Sequence, residues 1–155
     1  TVGELVAHPR IVGIKEASSE PARMSALLAL RRDDFVILSG DDGTACRAML
    51  AGADGLVSVG SNALPAAFRR LCDLARQGDE GAALAWDAGM QAFYPFLGLQ
   101  SNPIPVKALL QGLGYGAGLR LPLLPLAGEY QQQADLLLNA IPALEAQSAR
   151  ESIAA

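Results

Sequence analysis

An α/β fold with parallel strands is predicted by three observations. Short β-branched runs alternate with amphipathic stretches from residue 11 to residue 78. Each run is nearly continuously apolar rather than strictly alternating, which is the pattern of a strand covered on both faces. Successive runs lie about 20 residues apart, enough for a crossover helix between parallel neighbours. With 155 residues, 51% of them hydrophobic, the chain can bury the core of one globular domain and lies outside the disordered range.

The first strand is Ile11-Val12-Gly13-Ile14-Lys15. Met24, Leu27 and Leu28 follow at helical spacing behind Pro21, a residue suited to a first helical turn. Phe35 to Ser39 form the second strand. A short helix then runs from Thr44 to Ala51, ends at Gly52, and has Asp42 or Thr44 as its N-cap. Gly55 to Val59 form the third strand, and Phe68, Leu71, Cys72 and Ala75 recur at i, i+3, i+4, i+7 behind Pro65. After Gly78 the strands stop, and three helical patterns follow: Asp79 to about Leu97, Pro105 to Gly112, and Glu129 to about Ile141. Val106, Leu109, Leu110 and Leu113 make one apolar face of the second, which the glycines at 112, 114, 116 and 118 end. Leu119 to Leu126, with Pro122 and Pro125, is an extended connector. From Glu145 onward a frayed helix or a disordered tail is expected.

Composition removes several function classes. The net charge is −4 and the twelve Lys and Arg are scattered with no aromatic platform between them, so nucleic acid is not an expected partner. Cys46 and Cys72 lie in helical patterns with apolar neighbours and form no CxxC pair, which reads as core thiols. A single His cannot build a His/Cys zinc site, leaving only a carboxylate magnesium site formally open. No apolar stretch approaches the ~18 residues of a membrane span, and the N-terminus has no signal-peptide pattern. A soluble, cytoplasmic protein with no metal is the expectation.

Three parallel strands do not close a sheet, and an exposed parallel edge invites aggregation. The chain begins at Thr1, not Met. The expectation is a segment of a larger polypeptide whose N-terminal strands complete the architecture.

Lys15 closes the first strand. Period-two alternation puts it on one face with Ile11 and Gly13, while Val12 and Ile14 face the opposite layer. A lysine there is expected to be enclosed. Desolvation would favour its neutral amine, the form that attacks a ketone. The structural alternative is an ammonium paired with Glu16 or with an aspartate at the strand end. Position adds to the chemical reading: in (β/α)₈ barrels the C-terminal strand ends carry the active site, and Lys15, Gly40-Asp41-Asp42 and Val57-Ser58 all fall there. The run Ser39-Gly40-Asp41-Asp42-Gly43 reads either as a phosphate or metal loop or as a strand-to-helix turn in which an Asp caps the helix, and the turn is the expected form.

Five segments, in order and at similar spacing, resemble the dihydrodipicolinate synthases: Val12-Gly13-Ile14-Lys15-Glu16-Ala17, Leu38-Ser39-Gly40-Asp41-Asp42, Gly55-Leu56-Val57-Ser58-Val59, Asn102-Pro103-Ile104-Pro105-Val106-Lys107 and Leu119-Arg120-Leu121-Pro122-Leu123. The resemblance runs over about residues 1 to 142. In the wider pyruvate-dependent class I aldolase superfamily the lysine strand is similar but usually lacks the Ile-Lys-Glu-Ala reading. The resemblance implies that Lys15 forms an imine with pyruvate, which becomes an enamine and attacks aspartate semialdehyde in lysine and diaminopimelate biosynthesis. It implies that Val57 offers its backbone carbonyl near pyruvate and that Gly40, Asp41 and Asp42 border the entrance for the second substrate. An imine-forming lysine is itself an electron sink, so neither metal nor organic cofactor is implied.

The resemblance also implies the C-terminal half of such an enzyme. The family's paired threonines for the pyruvate carboxylate, its proton-relay tyrosines, its semialdehyde-binding arginine and its lysine feedback site belong to the N-terminal half. Tyr94, Tyr115 and Tyr130 do not stand in for those tyrosines. The fold expected is therefore α/β, a partial TIM (β/α)₈ barrel comprising its last three βα units (residues 1–78), a C-terminal three-helix extension (79–142) and a tail (143–155). Exposed strand edges are expected in the isolated chain, and a homo-oligomer in the full-length form, the family being commonly homotetrameric. Two other readings stand beside this one. A sugar-acid aldolase or N-acetylneuraminate lyase would keep the imine and change the acceptor. An inactive structural or interaction module would use the C-terminal helices for oligomer contact and hold Lys15 in an ordinary ion pair.

Overall fold

Parallel pairing in the order β1-β2-β3 builds the sheet of the computed structural model, which describes residues 1–153, with side chains described through Ala149. The elements are α1 (Val2–Leu5), β1 (Gly13–Glu16), α2 (Pro21–Leu28), β2 (Val36–Ser39), α3 (Ala45–Leu50), β3 (Gly55–Leu56), a 3₁₀ turn (Gly60–Asn62), α4 (Pro65–Gln77), α5 (Glu80–Met90), α6 (Phe93–Leu97), α7 (Ile104–Gly112), a second 3₁₀ turn (Gly128–Tyr130) and α8 (Gln131–Ile153). The strand-helix alternation predicted up to residue 78 is present. The chain divides into two compact units, Thr1–Ser58 with Cys72–Ala85, and Val59–Leu71 with Trp86 onward.

In the first unit the register pairs Gly13 with Val36, Lys15 with Leu38, and Leu38 with Gly55. Period two then sorts the side chains of β2. Phe35, Ile37 and Ser39 are buried together with Met24 and Leu27 of α2 and Ala45, Cys46 and Met49 of α3. Val36, on the other face, is 38% exposed, and Val57 just beyond β3 is 44% exposed. The continuous apolar pattern predicted strands covered on both faces; in this chain the helices cover one face and leave the other open. β3 is also shorter than its apolar run. The chain leaves the sheet at Val57, whose N–H donates to the Ser39 carbonyl (2.8 Å), and turns into the 3₁₀ segment at Gly60. Gly52, at φ +113°, ends the turn after α3 in the left-handed region that glycine alone enters freely.

The second unit is helical. Phe68, Leu71, Trp86, Met90, Phe93, Phe96, Leu109 and Ile141 are buried in it. The indole of Trp86 stays satisfied by donating to the Ala67 carbonyl at 2.9 Å. Asp87, also buried, accepts from Tyr94 Oη (2.7 Å) and Gln91 Nε2 (2.8 Å). A Cβ on Gly112 would stand 2.7 Å from Leu138 Cδ2, so this glycine lets α7 and α8 approach.

Two helical expectations change. The pattern from Asp79 to Leu97 is two helices, not one, so four helices follow residue 78 instead of three. Pro95 supplies the reason: its ring clashes with the carbonyl four residues back, at Gln91, where the helix breaks. The last helix does not stop at Ile141 but runs through Pro142 to Ile153, taking in the segment expected to fray; residues 154 and 155 lie outside the described residues. On this stretch Ser148 is buried, and Glu145 accepts from the N–H groups of Ala66 (3.1 Å) and Ala67 (2.9 Å) in the first turn of α4. The carboxylate thus satisfies two donors that a helix start leaves open, and it meets the positive end of the helix dipole. Glu145→Ala is expected to lower stability by about 1–2 kcal/mol, with Glu145→Gln losing less, as read from urea denaturation midpoints. Among the described residues no helix is long and apolar enough to cross a membrane.

Candidate active site

The residues singled out in the sequence all fall in the first unit, at the ends of its strands. Lys15 is the third residue of β1 and lies on the open face with Gly13, Val36, Leu38 and Gly40. The face agrees with the predicted alternation. Burial does not: Lys15 was expected to be enclosed and is exposed in this chain, because the helices pack on the opposite side of the sheet.

The ion pair that would have made Lys15 structural is not formed. Glu16, its neighbour in sequence, points to the other face, where its carboxylate accepts from Arg23 Nε at 2.6 Å and from the Ser18 N–H at 2.9 Å. Ion pairs join Arg23 to Glu16, Arg31 to Asp54 and Arg32 to Asp34, and among the described residues Lys15 is in none.

Gly40 continues β2 by one residue, its N–H donating to the Glu16 carbonyl at 2.7 Å. Its open Cα faces the lysine: a Cβ there would overlap Lys15 Cε and stand 2.9 Å from Cγ and 3.1 Å from Cδ. Asp41 holds the turn into α3. Its Oδ2 accepts from Thr44 N–H (3.0 Å) and Thr44 Oγ1 (2.7 Å), while Ser39 Oγ donates to the Asp41 carbonyl (3.3 Å). Of the two N-caps expected for α3, Asp42 and Thr44, the structure has Thr44, whose side chain makes no capping bond to the helix. An aspartate was also expected to hold this turn, and Asp41 does so, its carboxylate sitting three residues ahead of the Thr44 N–H it accepts from. Asp42 is buried. Val57 lies beyond β3 on the open face, with Leu38 of β2 between its strand and that of Lys15. The structure therefore brings Lys15 and Gly40 into contact and commits Asp41 to the loop.

Two features escaped the sequence reading. Gly40 as the neighbour of the lysine stem leaves no local signal, since a glycine after a strand looks like a turn residue. Asp54 accepts from Arg31 (2.6 and 2.8 Å) and also from the backbone N–H of buried Ile37 (2.8 Å), pinning the start of β3 to β2. A cavity between α2 and α3, lined by Met24, Leu28, Arg47 and Ala48, contains none of the site residues. Among the described residues no group of three or more His, Cys, Asp or Glu side chains is gathered to hold a metal.

The hydrogen bond from Arg23, followed by that from Ser18 N–H, holds the Glu16 carboxyl below its ordinary range; Arg31 and then Ile37 N–H do the same for Asp54. A carboxylate held in this way binds its proton less readily in the folded state than in the unfolded state. Its contribution is present above the unfolded-state value and is lost as the pH falls through the lower folded-state value. Stability against urea is thus expected to drop as the pH goes below about 4. Asp54→Asn should flatten that drop and cost about 1 kcal/mol at pH 7, the half-exposed Arg31 limiting the loss. Urea midpoints at pH 7 and pH 3 for both proteins check this.

Comparison with known proteins bears on this arrangement. A sequence model described as the dihydrodipicolinate synthetase family matches residues 1–141. The 4-hydroxy-tetrahydrodipicolinate synthase of Xanthomonas axonopodis pv. citri is 65% identical over 155 residues, covering all of this chain and 51% of that protein. The synthase of Xylella fastidiosa is 57% identical over the same length and share. Among solved structures, the chloride-inhibited dihydrodipicolinate synthase of Acinetobacter baumannii complexed with pyruvate superposes with a TM-score of 0.85 at 38% identity, covering 90% of this chain and 48% of that one. The synthase of Methylacidiphilum fumariolicum SolV gives a TM-score of 0.86 at 33% identity, covering 96% of this chain and 50% of that one. The chain spans about half the length of the curated relatives it matches, corresponding to their C-terminal half. With a family model matching nearly its whole length and an α/β fold shared with solved members, this chain belongs to the dihydrodipicolinate synthetase family.

Proposed function

We propose that this chain is the imine-forming half of a synthase that condenses pyruvate with aspartate semialdehyde, a lyase of lysine and diaminopimelate biosynthesis acting in the cytoplasm. The observation that carries the reading is Lys15 on the open sheet face at a strand end, in no ion pair of the described residues, with its stem against Gly40. Its neutral amine adds to the C2 ketone of pyruvate and water leaves, giving a protonated imine. Loss of a C3 proton then turns the imine into an enamine, and C3 forms the new bond to the aldehyde carbon of the second substrate. No metal or organic cofactor is needed, because the iminium itself takes up the electron pair.

In this reading the backbone carbonyl of Val57 lies near bound pyruvate. Gly40, Asp41 and Asp42 border the way in for the semialdehyde, with Asp41 acting by holding the loop through Thr44. The three strand-helix units are the last three of a (β/α)₈ barrel, spanning residues 1–78. Residues 79–142 are its helical extension and 143–155 its tail. Carboxylate binding and proton relay come from the other half of the barrel, so the chain alone is inactive. The complete protein is a homo-oligomer acting on small molecules, with no nucleic-acid or membrane partner.

Borohydride reduction in the presence of pyruvate tests this, using the chain alone and the chain joined to the N-terminal half of the Xanthomonas axonopodis relative. A pyruvyl adduct mapped to Lys15 in the joined protein is the expected result. No adduct in the joined protein would remove the lyase reading.

A further inference from the structure

We infer that Gly40 is a positioning residue for Lys15: its missing side chain forms the seat over which the lysine stem lies, and this aims the amine beyond the C-terminal edge of the sheet. The inference rests on the imine role proposed for Lys15.

Glycine at position 40 has no backbone reason to be there. The glycines in the left-handed region are Gly52, Gly78, Gly114, Gly116 and Gly118, so at Gly40 any L residue can adopt the backbone conformation. Its N–H makes an ordinary parallel bond to Glu16, which any non-proline residue would make as well. The three atoms that a Cβ there would stand nearest to all belong to Lys15: overlap with Cε, 2.9 Å to Cγ and 3.1 Å to Cδ. Gly13 on the same face differs, since a Cβ there would stand 2.5 Å from the Val36 carbonyl oxygen, a backbone atom that cannot swing aside. At Gly40 the obstacle is the flexible part of a lysine side chain, which can rotate away.

The register explains why this glycine and this lysine meet. Lys15 pairs with Leu38, so Gly40 is the next open-face position of β2 toward the strand end. The lysine leans forward along the strand direction, past Leu38 and across the bare Cα of Gly40. With its methylenes laid along this backbone, the stem carries the amine past the end of β2. Displacing a reacting group by about 1 Å can cost on the order of 100-fold in rate. A methyl group at residue 40 therefore spares the fold and moves the nucleophile.

The test uses the chain joined to the N-terminal half of the Xanthomonas axonopodis relative, with the rate of pyruvate-dependent borohydride trapping, KM for pyruvate and Tm measured in parallel. In Gly40→Ala, trapping at saturating pyruvate is expected to fall about 100-fold, with Tm and far-ultraviolet circular dichroism close to wild type. Trapping in Gly40→Ala within threefold of wild type would overturn the inference while leaving the imine role intact. An absent adduct in the wild type removes the imine role instead, and the inference with it. Should Gly40→Ala fail to fold, the same change in the Lys15→Ala background decides: a folded double variant identifies the lysine stem as the obstacle and supports the seat, whereas an unfolded one shows that the sheet itself requires glycine and overturns it.

Discussion

Lys15→Ala in the joined protein is expected to abolish the pyruvyl adduct and to lower kcat/KM on the order of 10³-fold or more. The size of the effect follows from covalent catalysis, in which the amine is a reactant and no neighbouring group substitutes for it. The chain has only two lysines, Lys15 and Lys107, and the second lies on α7 in the other compact unit. Peptide mapping separates them, and Lys107→Ala should keep the adduct. Lys15→Arg should lose it as completely as alanine does, although the charge is kept, because a guanidinium is not deprotonated at neutral pH and cannot add to a ketone. Retention of the adduct in Lys15→Arg, read by mass spectrometry, would place the nucleophile elsewhere.

The largest loss of stability is expected from Phe96→Ala, at about 3–5 kcal/mol. Phe96 is fully buried in α6, a five-residue helix packed against α7, α8 and the 3₁₀ turn at Gly60. So short a helix has almost no stability of its own, and it depends on burying side chains such as Phe96. Truncation removes the transfer free energy of the ring and leaves a cavity that the surrounding helices fill only in part. Set against the ~5–15 kcal/mol by which a domain is usually folded, this loss takes a large share. Phe96→Leu, which keeps most of the volume, should cost about 1–2 kcal/mol. Urea denaturation of the three proteins gives the ranking, and equal midpoints would show that α6 is not part of the cooperative core.

Some of this molecule could be seen in its residue order. β1, β2 and most of the helices are local patterns: Ile11 to Lys15 alternate about a strand axis, Met24 and Leu27 mark one helical stripe, and Pro21 and Pro65 suit only a first turn. The face carrying Lys15 followed from period two alone. Pro95 is a local signal for the break near Gln91 that a reading of apolar periodicity passes over. α8 went the other way. Its end was expected near Ile141, yet the helix continues through Pro142, where Ile141 and Ser148 are buried and Glu145 reaches α4.

The sequence by itself determined the strand-helix alternation up to residue 78, the parallel arrangement, the family and the position of the lysine at a strand end. These depend on spacings within a single element or on ordered motifs, and both are written along the chain. Only the tertiary structure decided that Asp41 rather than Asp42 holds the loop, that Glu145 caps a helix some 79 residues away, that Glu16 belongs to Arg23, and that the stem of Lys15 rests on Gly40. Asp41 and Thr44 share one turn, whose conformation chose between two adjacent aspartates; the others are meetings of groups from different elements, fixed by register and packing rather than by neighbours in sequence. A glycine carries no side chain to mark what it makes room for, so its partner becomes visible only once the two strands lie side by side.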